Sequence, residues 1–104
     1  MNRLIRTIKN RGKSRELIIE TCKGNFDRTE QRIVLRLIDQ WDKHDKPLVI
    51  GFQDWANELD VTMDCVFKNI VKLERKNVVF VSSRNGHYKN SYVLNTDIAK
   101  WRTI

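Results

Sequence analysis

Asp39, Asp42, His44 and Asp45 form the densest group of side chains in this 104-residue chain that could act on a metal or a proton. Metal ligation needs several oxygens or imidazoles converging on one point. Here Lys43 and Lys46 interleave with the acids and Pro47 follows at once, so the spacing predicts a solvated helix end. His44 and His87 stand in separate stretches. Neither has an acid or a nucleophile at a spacing that would make an acid–base pair or an activated nucleophile. Cys65 opens a helical stretch, where the helix dipole can lower a thiol pKa, but a cysteine there is more often a small buried hydrophobe. Cys22 and Cys65 cannot build a disulfide framework and fit reduced thiols in a cytosolic setting. Gly12, Gly24, Gly51 and Gly86 are isolated, so no glycine-rich loop cradles a phosphate. The expectation is a protein with no catalytic residue, no metal and no cofactor, and not an enzyme.

A different chemistry, hydrogen bonding and charge neutralisation on a polyanion, suits two other stretches. In the first, Thr62, Met63, Asp64, Phe67, Lys68, Val71, Lys72 and Arg75 fall off the apolar stripe of one helical segment. Thr62 has a hydroxyl to donate to a phosphate. Lys68 and Lys72, one turn apart, can reach phosphate or guanine. Asp64 can accept from cytosine, or simply favour the positive end of the helix. Phe67 and Val71 have thymine methyls as one partner. Burial against the N-terminal segment or a second subunit is the expectation for Phe67, because an exposed phenylalanine is costly in water. In the second stretch, Arg84, Asn85, His87 and Lys89 surround a polar, basic hairpin tip suited to backbone or minor-groove contact.

The net charge of +7 supports this reading because it is unevenly placed. Residues 1–15 carry six basic side chains and no acid: Arg3, Arg6, Lys9, Arg11, Lys13 and Arg15. Residues 16–60 carry ten acids against six bases, and residues 61–104 eight bases against three acids. An acidic middle between basic ends orients a molecule on a polyanion. Double-stranded DNA is the expected partner. A membrane is not, since Leu4, Ile5 and Ile8 make only a small apolar face and no apolar run approaches the ~18 residues of a spanning helix. The charged start, Met1-Asn2-Arg3-Leu4-Ile5-Arg6, lacks the apolar stretch of a signal peptide, so a cytoplasmic location is expected.

These side chains need elements to position them. Residues 1–15 read as a mobile basic arm with helix broken by Gly12 and Ser14, followed by a short apolar element, strand or helix, over 16–22. Asp27 and Glu30 spell a capping box, and Ile33, Leu37 and Trp41 follow at steps of four, with Val34 and Ile38 beside them. Pro47 ends that helix and Leu48-Val49-Ile50 favours β-structure. A short helix over 52–59, a turn at Asp60-Val61-Thr62 and a helix from Thr62 to about Lys76 come next. Ala56 is small where the two helices approach. Val78-Val79-Phe80-Val81 and Tyr92-Val93-Leu94 are strands joined through Asn85-Gly86, the strongest two-residue hairpin signal. A two-residue loop there pairs Arg84 with His87, Phe80 with Ser91 and Val78 with Val93. A last short helix runs from Thr96 or Asp97 to Trp101.

Helix, strand, helix, tight turn, helix, hairpin is the plan of an α+β winged helix-turn-helix: a three-helix core with a C-terminal β-hairpin wing. The expected division is 1–25 for the arm and short element and 26–104 for the DNA-binding domain. Residues 52–62 (Phe52-Gln53-Asp54-Trp55-Ala56-Asn57-Glu58-Leu59-Asp60-Val61-Thr62), Val66, Ile70, Leu73 and Glu74 to Val79 resemble the winged-helix N-terminal domain of the phage replication protein O family. Asn90 to Asp97, followed by Trp101, is similar to that family's closing strand and tryptophan. The resemblance covers about residues 27–101. It implies an origin-binding module that recognises repeated sites, often as a homodimer, and feeds a helicase-loading region. That region does not follow Ile104 here, and the start is unusually basic. The chain is then either a fragment or a small stand-alone phage- or plasmid-type regulator of transcription. Replication or transcription proteins are the other partners left open, and a protein-interaction winged helix is the reading from another class.

Overall fold

Apolar residues at every third or fourth position set the helices here, and the polar residues between those runs decide where each helix stops. The structure, a computed structural model, describes the backbone of residues 2–83 and 89–103 and the side chains of residues 12–83 and 89–103. Among these are four α-helices: α1 (Asn2–Thr21), α2 (Arg28–His44), α3 (Phe52–Leu59) and α4 (Met63–Arg75). The strands are β1 (Leu48–Gly51), β2 (Val79–Ser83) and β3 (Lys89–Leu94), and a 3-10 turn covers Ile98–Lys100. The fold is α+β, with α2, α3 and α4 packed on one antiparallel sheet of order β1-β3-β2. Among the described residues no helix is long and apolar enough to cross a membrane.

The helix ends follow local chemistry. The Asp27 carboxylate accepts from the Glu30 backbone N–H at 2.8 Å, and Glu30 Oε1 accepts from the Asp27 N–H at 3.0 Å, the reciprocal capping box that the sequence predicts. At the other end Asp45 is left-handed, with φ 49°, and its N–H donates to Trp41 O. Asp60 (φ 56°) ends α3, with the Val61 N–H reaching Ala56 O, and Thr62 then caps α4 by accepting from the Cys65 N–H. Two residues therefore suffice to turn the chain from α3 to the cap of α4. Asn77 (φ 61°) ends α4 in the same way, the Val78 N–H donating to Leu73 O.

Residues 2–15 correct the sequence reading. Gly12 and Ser14 do not break a helix: α1 is continuous from Asn2 to Thr21. A glycine inside a helix costs about 1 kcal/mol, which tertiary packing offsets here. Ser14, Leu17 and Thr21 share one face and are buried, Leu17 completely. Ser14 Oγ donates to Asp42 Oδ1 at 2.9 Å, and Thr21 Oγ1 donates to Leu17 O within the helix. α1 packs on α2, and the apolar element of residues 16–22 is its C-terminal part.

The hairpin register also differs. Val79 faces Leu94, Phe80 faces Val93 and Val81 faces Tyr92, two residues along from the pairing that a loop at Asn85-Gly86 alone would impose. A shift of two preserves which face each side chain takes. It also sets Val79 and Val81 opposite Leu94 and Tyr92 instead of opposite Tyr92 and Asn90, so apolar residues pair on the inner face. The tip itself, Arg84 to Tyr88, lies outside the described residues. β1 completes the sheet, Leu48 opposite Tyr92 and Gly51 opposite Lys89.

One core joins these elements. Leu17, Ile33, Val34, Leu37, Trp55, Leu59, Val66, Ile70, Leu73, Val79 and Tyr92 are all buried in it. Trp55 meets the Tyr92 ring edge-on, with centroids 5.7 Å apart.

Candidate nucleic-acid interface

α4 is held in place from behind. Its stripe of Val66, Asn69, Ile70 and Leu73 is buried, and Asn69 Nδ2 donates to Cys65 O at 2.8 Å. Arg32 and Arg36 of α2 fasten the end of α3 beside it: Arg32 Nη1 donates to Leu59 O at 2.6 Å, and Arg36 Nε pairs with Glu58 at 2.8 Å. The other side of α4 is open. Thr62, Met63, Asp64, Phe67, Lys68 and Arg75 are exposed, and Val71 is half-buried. Thirteen residues at 1.5 Å each make this a rod of about 20 Å, and the major groove admits one helix.

Side chains on that face differ in their freedom. Lys68 Nζ lies 3.0 Å from Asp64 Oδ2, but both side chains are more than two-thirds exposed, so water and salt weaken the pair and Lys68 remains available. Arg75 has no ion pair among the described residues. Phe67 is not buried within the described chain, and its expected burial against a second subunit is a matter for binding experiments. It is 54% exposed and meets Phe52 edge to face, with ring centroids 6.0 Å apart, on the flank of α4 nearest α3.

Lys72 is placed differently from Lys68. Although one turn from Lys68, it lies on the flank facing the start of α2, where its Nζ binds Asp27 Oδ2 and stands 3.5 Å from Glu30. It belongs to a chain of charges that continues to Lys76, whose Nζ meets Glu30 Oε2 and Asn25 O, both at 2.9 Å, 4.9 Å from the Phe26 ring centroid. Sequence reasoning missed this network. The signal was present: Glu30 sits on the stripe of Ile33, Val34 and Leu37, and Lys76 on the stripe of Ile70 and Leu73, so both point inward.

Partial burial pushes the Asp27 carboxyl upward, but the Glu30 backbone N–H and the Lys72 ammonium outweigh it and hold the group below the ordinary 3.8. The hydrogen bond to Asp27 in turn raises Lys72 above the ordinary 10.5. Asp27 therefore contributes stability in full above its ordinary value, and that contribution fades as pH falls through its lowered folded value. Lys72→Met is expected to destabilise the protein by less than about 1 kcal/mol at neutral pH, since the pair is half exposed. In denaturant titrations that difference shrinks in acid as Asp27 is protonated; a difference unchanged in acid would contradict the pairing.

The remaining sequence-predicted residues divide in three. Lys89 is exposed at the start of β3. Arg84, Asn85 and His87 lie outside the described residues, as do the side chains of Arg3, Arg6, Lys9 and Arg11. Lys13 pairs with Glu16 at 3.6 Å on α1, and Arg15 is exposed on the same helix. The acid and histidine cluster disperses: Asp39 pairs with Lys43, Asp42 accepts from Ser14, and Asp45 forms the end of α2. Among the described residues no group of three His, Cys, Asp or Glu side chains could hold a metal ion. No family model, curated protein or solved structure matches this chain.

Proposed function

We propose that this protein is a winged helix-turn-helix that binds double-stranded DNA, laying α4 in the major groove and the β2–β3 hairpin along the flanking backbone. The observation that carries the reading is the two-sidedness of α4. Its inner stripe is sealed into the core, while Thr62, Met63, Asp64, Phe67, Lys68 and Arg75 stand exposed on a rod of groove-filling width. Lys89 at the tip end of β3 and the basic C-terminal half add phosphate-seeking charge. The resemblance to the phage replication protein O family supports a narrower reading, binding at a replication origin. A small transcriptional regulator is the alternative.

Duplex binding measured against salt tests the reading. Affinity is expected to fall steeply, with a log–log slope of roughly −0.9 for each phosphate neutralised. No binding at low salt, or binding that ignores salt, rejects it. Selection from a random DNA pool then gives the site, and a palindromic winner indicates a two-fold dimer.

The exposure of Phe67 beside Phe52 and Met63 favours a second reading, in which this apolar flank docks a protein. Under it, Phe67→Ser abolishes self-association or partner binding and leaves DNA affinity intact. Under the first reading the same change weakens DNA binding.

A further inference from the structure

We propose that the segment from Asn95 to Arg102 is a second phosphate-contact site, in which Lys100 and Arg102, with Arg75 of α4, grip the DNA backbone beside the groove that α4 enters. The inference rests on the reading of α4 as the groove-binding element. None of the three side chains has an ion pair or hydrogen bond among the described residues, and all three are exposed.

The segment's backbone is pinned to the C-terminal end of α4 while its basic side chains are left unused. Asn95 anchors it: the Asn95 N–H donates to Val78 O and Asn95 Nδ2 to Asn77 O, each at 2.8 Å. Asn77 Nδ2 donates to Lys100 O at 3.0 Å, and the Arg102 N–H donates to Lys76 O at 2.6 Å. Trp101 locks the far side, its indole N–H donating to Asn95 O at 2.7 Å and its ring meeting Phe26 edge-on at 5.9 Å. These ties use backbone groups and the side chains of Asn77, Asn95, Trp101 and Phe26, never the side chains of Lys100 or Arg102. The cations themselves hold nothing in place.

Charge and geometry favour a phosphate strand as the occupant. A helix lying in the major groove has its ends near the two flanking backbones, and contacts there set register without reading sequence. Arg75 and Arg102 offer planar guanidinium forks that match phosphate oxygens, and Lys100 offers a point charge. Asp97 is the one acid in the segment, and among the described residues its carboxylate pairs with neither Lys100 nor Arg102. The negative end of the α4 dipole also favours cations here, so the test must separate binding from stability.

The test uses the full chain, a short mixed-sequence duplex and salt titrations of wild type, Lys100→Gln/Arg102→Gln and Lys46→Gln. Lys46 is exposed beyond the opposite end of α2, about 25 Å along the helix from Asp27 and the α4 terminus. The double variant is expected to keep the wild-type denaturation midpoint, to lose about 2 from the magnitude of the salt slope and to bind at least tenfold more weakly at low salt. Lys46→Gln is expected to match wild type. A double variant with wild-type slope and affinity overturns this inference and leaves the α4 reading standing. An equal loss per charge removed for Lys46→Gln, about half that of the double variant, overturns it in favour of diffuse charge. A wild-type protein that does not bind duplex removes the α4 reading and this inference together.

Discussion

Glu30→Gln is expected to lower the unfolding free energy by about 3 kcal/mol, read as a denaturant midpoint shift at unchanged slope. The Glu30 side chain is 2% exposed and that of Lys76 10%. Neutralising the carboxylate leaves the ammonium in a site where Asn25 O and the Phe26 ring are its other partners. A buried charge stripped of its counter-charge is among the costliest single changes a core can suffer. Glutamine keeps the size of the side chain and the acceptor for the Asp27 N–H, so the loss reports charge rather than capping. Replacing both partners, Glu30→Leu with Lys76→Met, is expected to restore most of the stability, because apolar packing often equals or exceeds a buried ion pair. A loss below about 1 kcal/mol for Glu30→Gln would mean that water reaches the pair.

Lys68→Ala with Arg75→Ala carries the largest expected effect on binding. Each removes a cation from the open face of α4, and an arginine placed bidentate on guanine is worth about 1–3 kcal/mol. The pair should weaken duplex binding by about 30- to 100-fold and cut the salt slope by roughly 2. Lys72→Met should leave the slope near wild type, because Asp27 and Glu30 already hold that ammonium. Equal effects of Lys72 and Lys68 on the slope would show that the Asp27 contact opens on DNA and that charge, not face, decides.

Much of the scaffold was legible because its signals are local. The capping box of Asp27 and Glu30, the stop before Pro47, the Thr62 cap and the stripe of Val66, Ile70 and Leu73 depend on residues within a turn or two of each other. Two errors came from reading a local rule without its tertiary competitor. Gly12 and Ser14 weaken a helix in isolation, but Leu17 and Thr21 bury against α2 and Ser14 finds Asp42, which outweighs the weak propensity. Asn85-Gly86 suggests a two-residue loop with Val79 opposite Tyr92, yet β2 and β3 match Val79 and Val81 to Leu94 and Tyr92, a register in which apolar residues pair across the strands.

The candidate site divides along the same line. Residue order alone determined that a cationic, two-sided helix follows a tight turn, because periodicity and capping are properties of neighbouring residues. Only the tertiary structure decided which lysines on it are free. Lys68 and Lys72 look equivalent one turn apart, and 40° of helix rotation per four residues turns Lys72 toward Asp27, 45 positions earlier in the chain. The same packing placed Lys100 and Arg102 beside the end of α4, since hydrogen bonds between residues more than 20 apart, such as Asn77 to Lys100, form only when the core brings those backbones together.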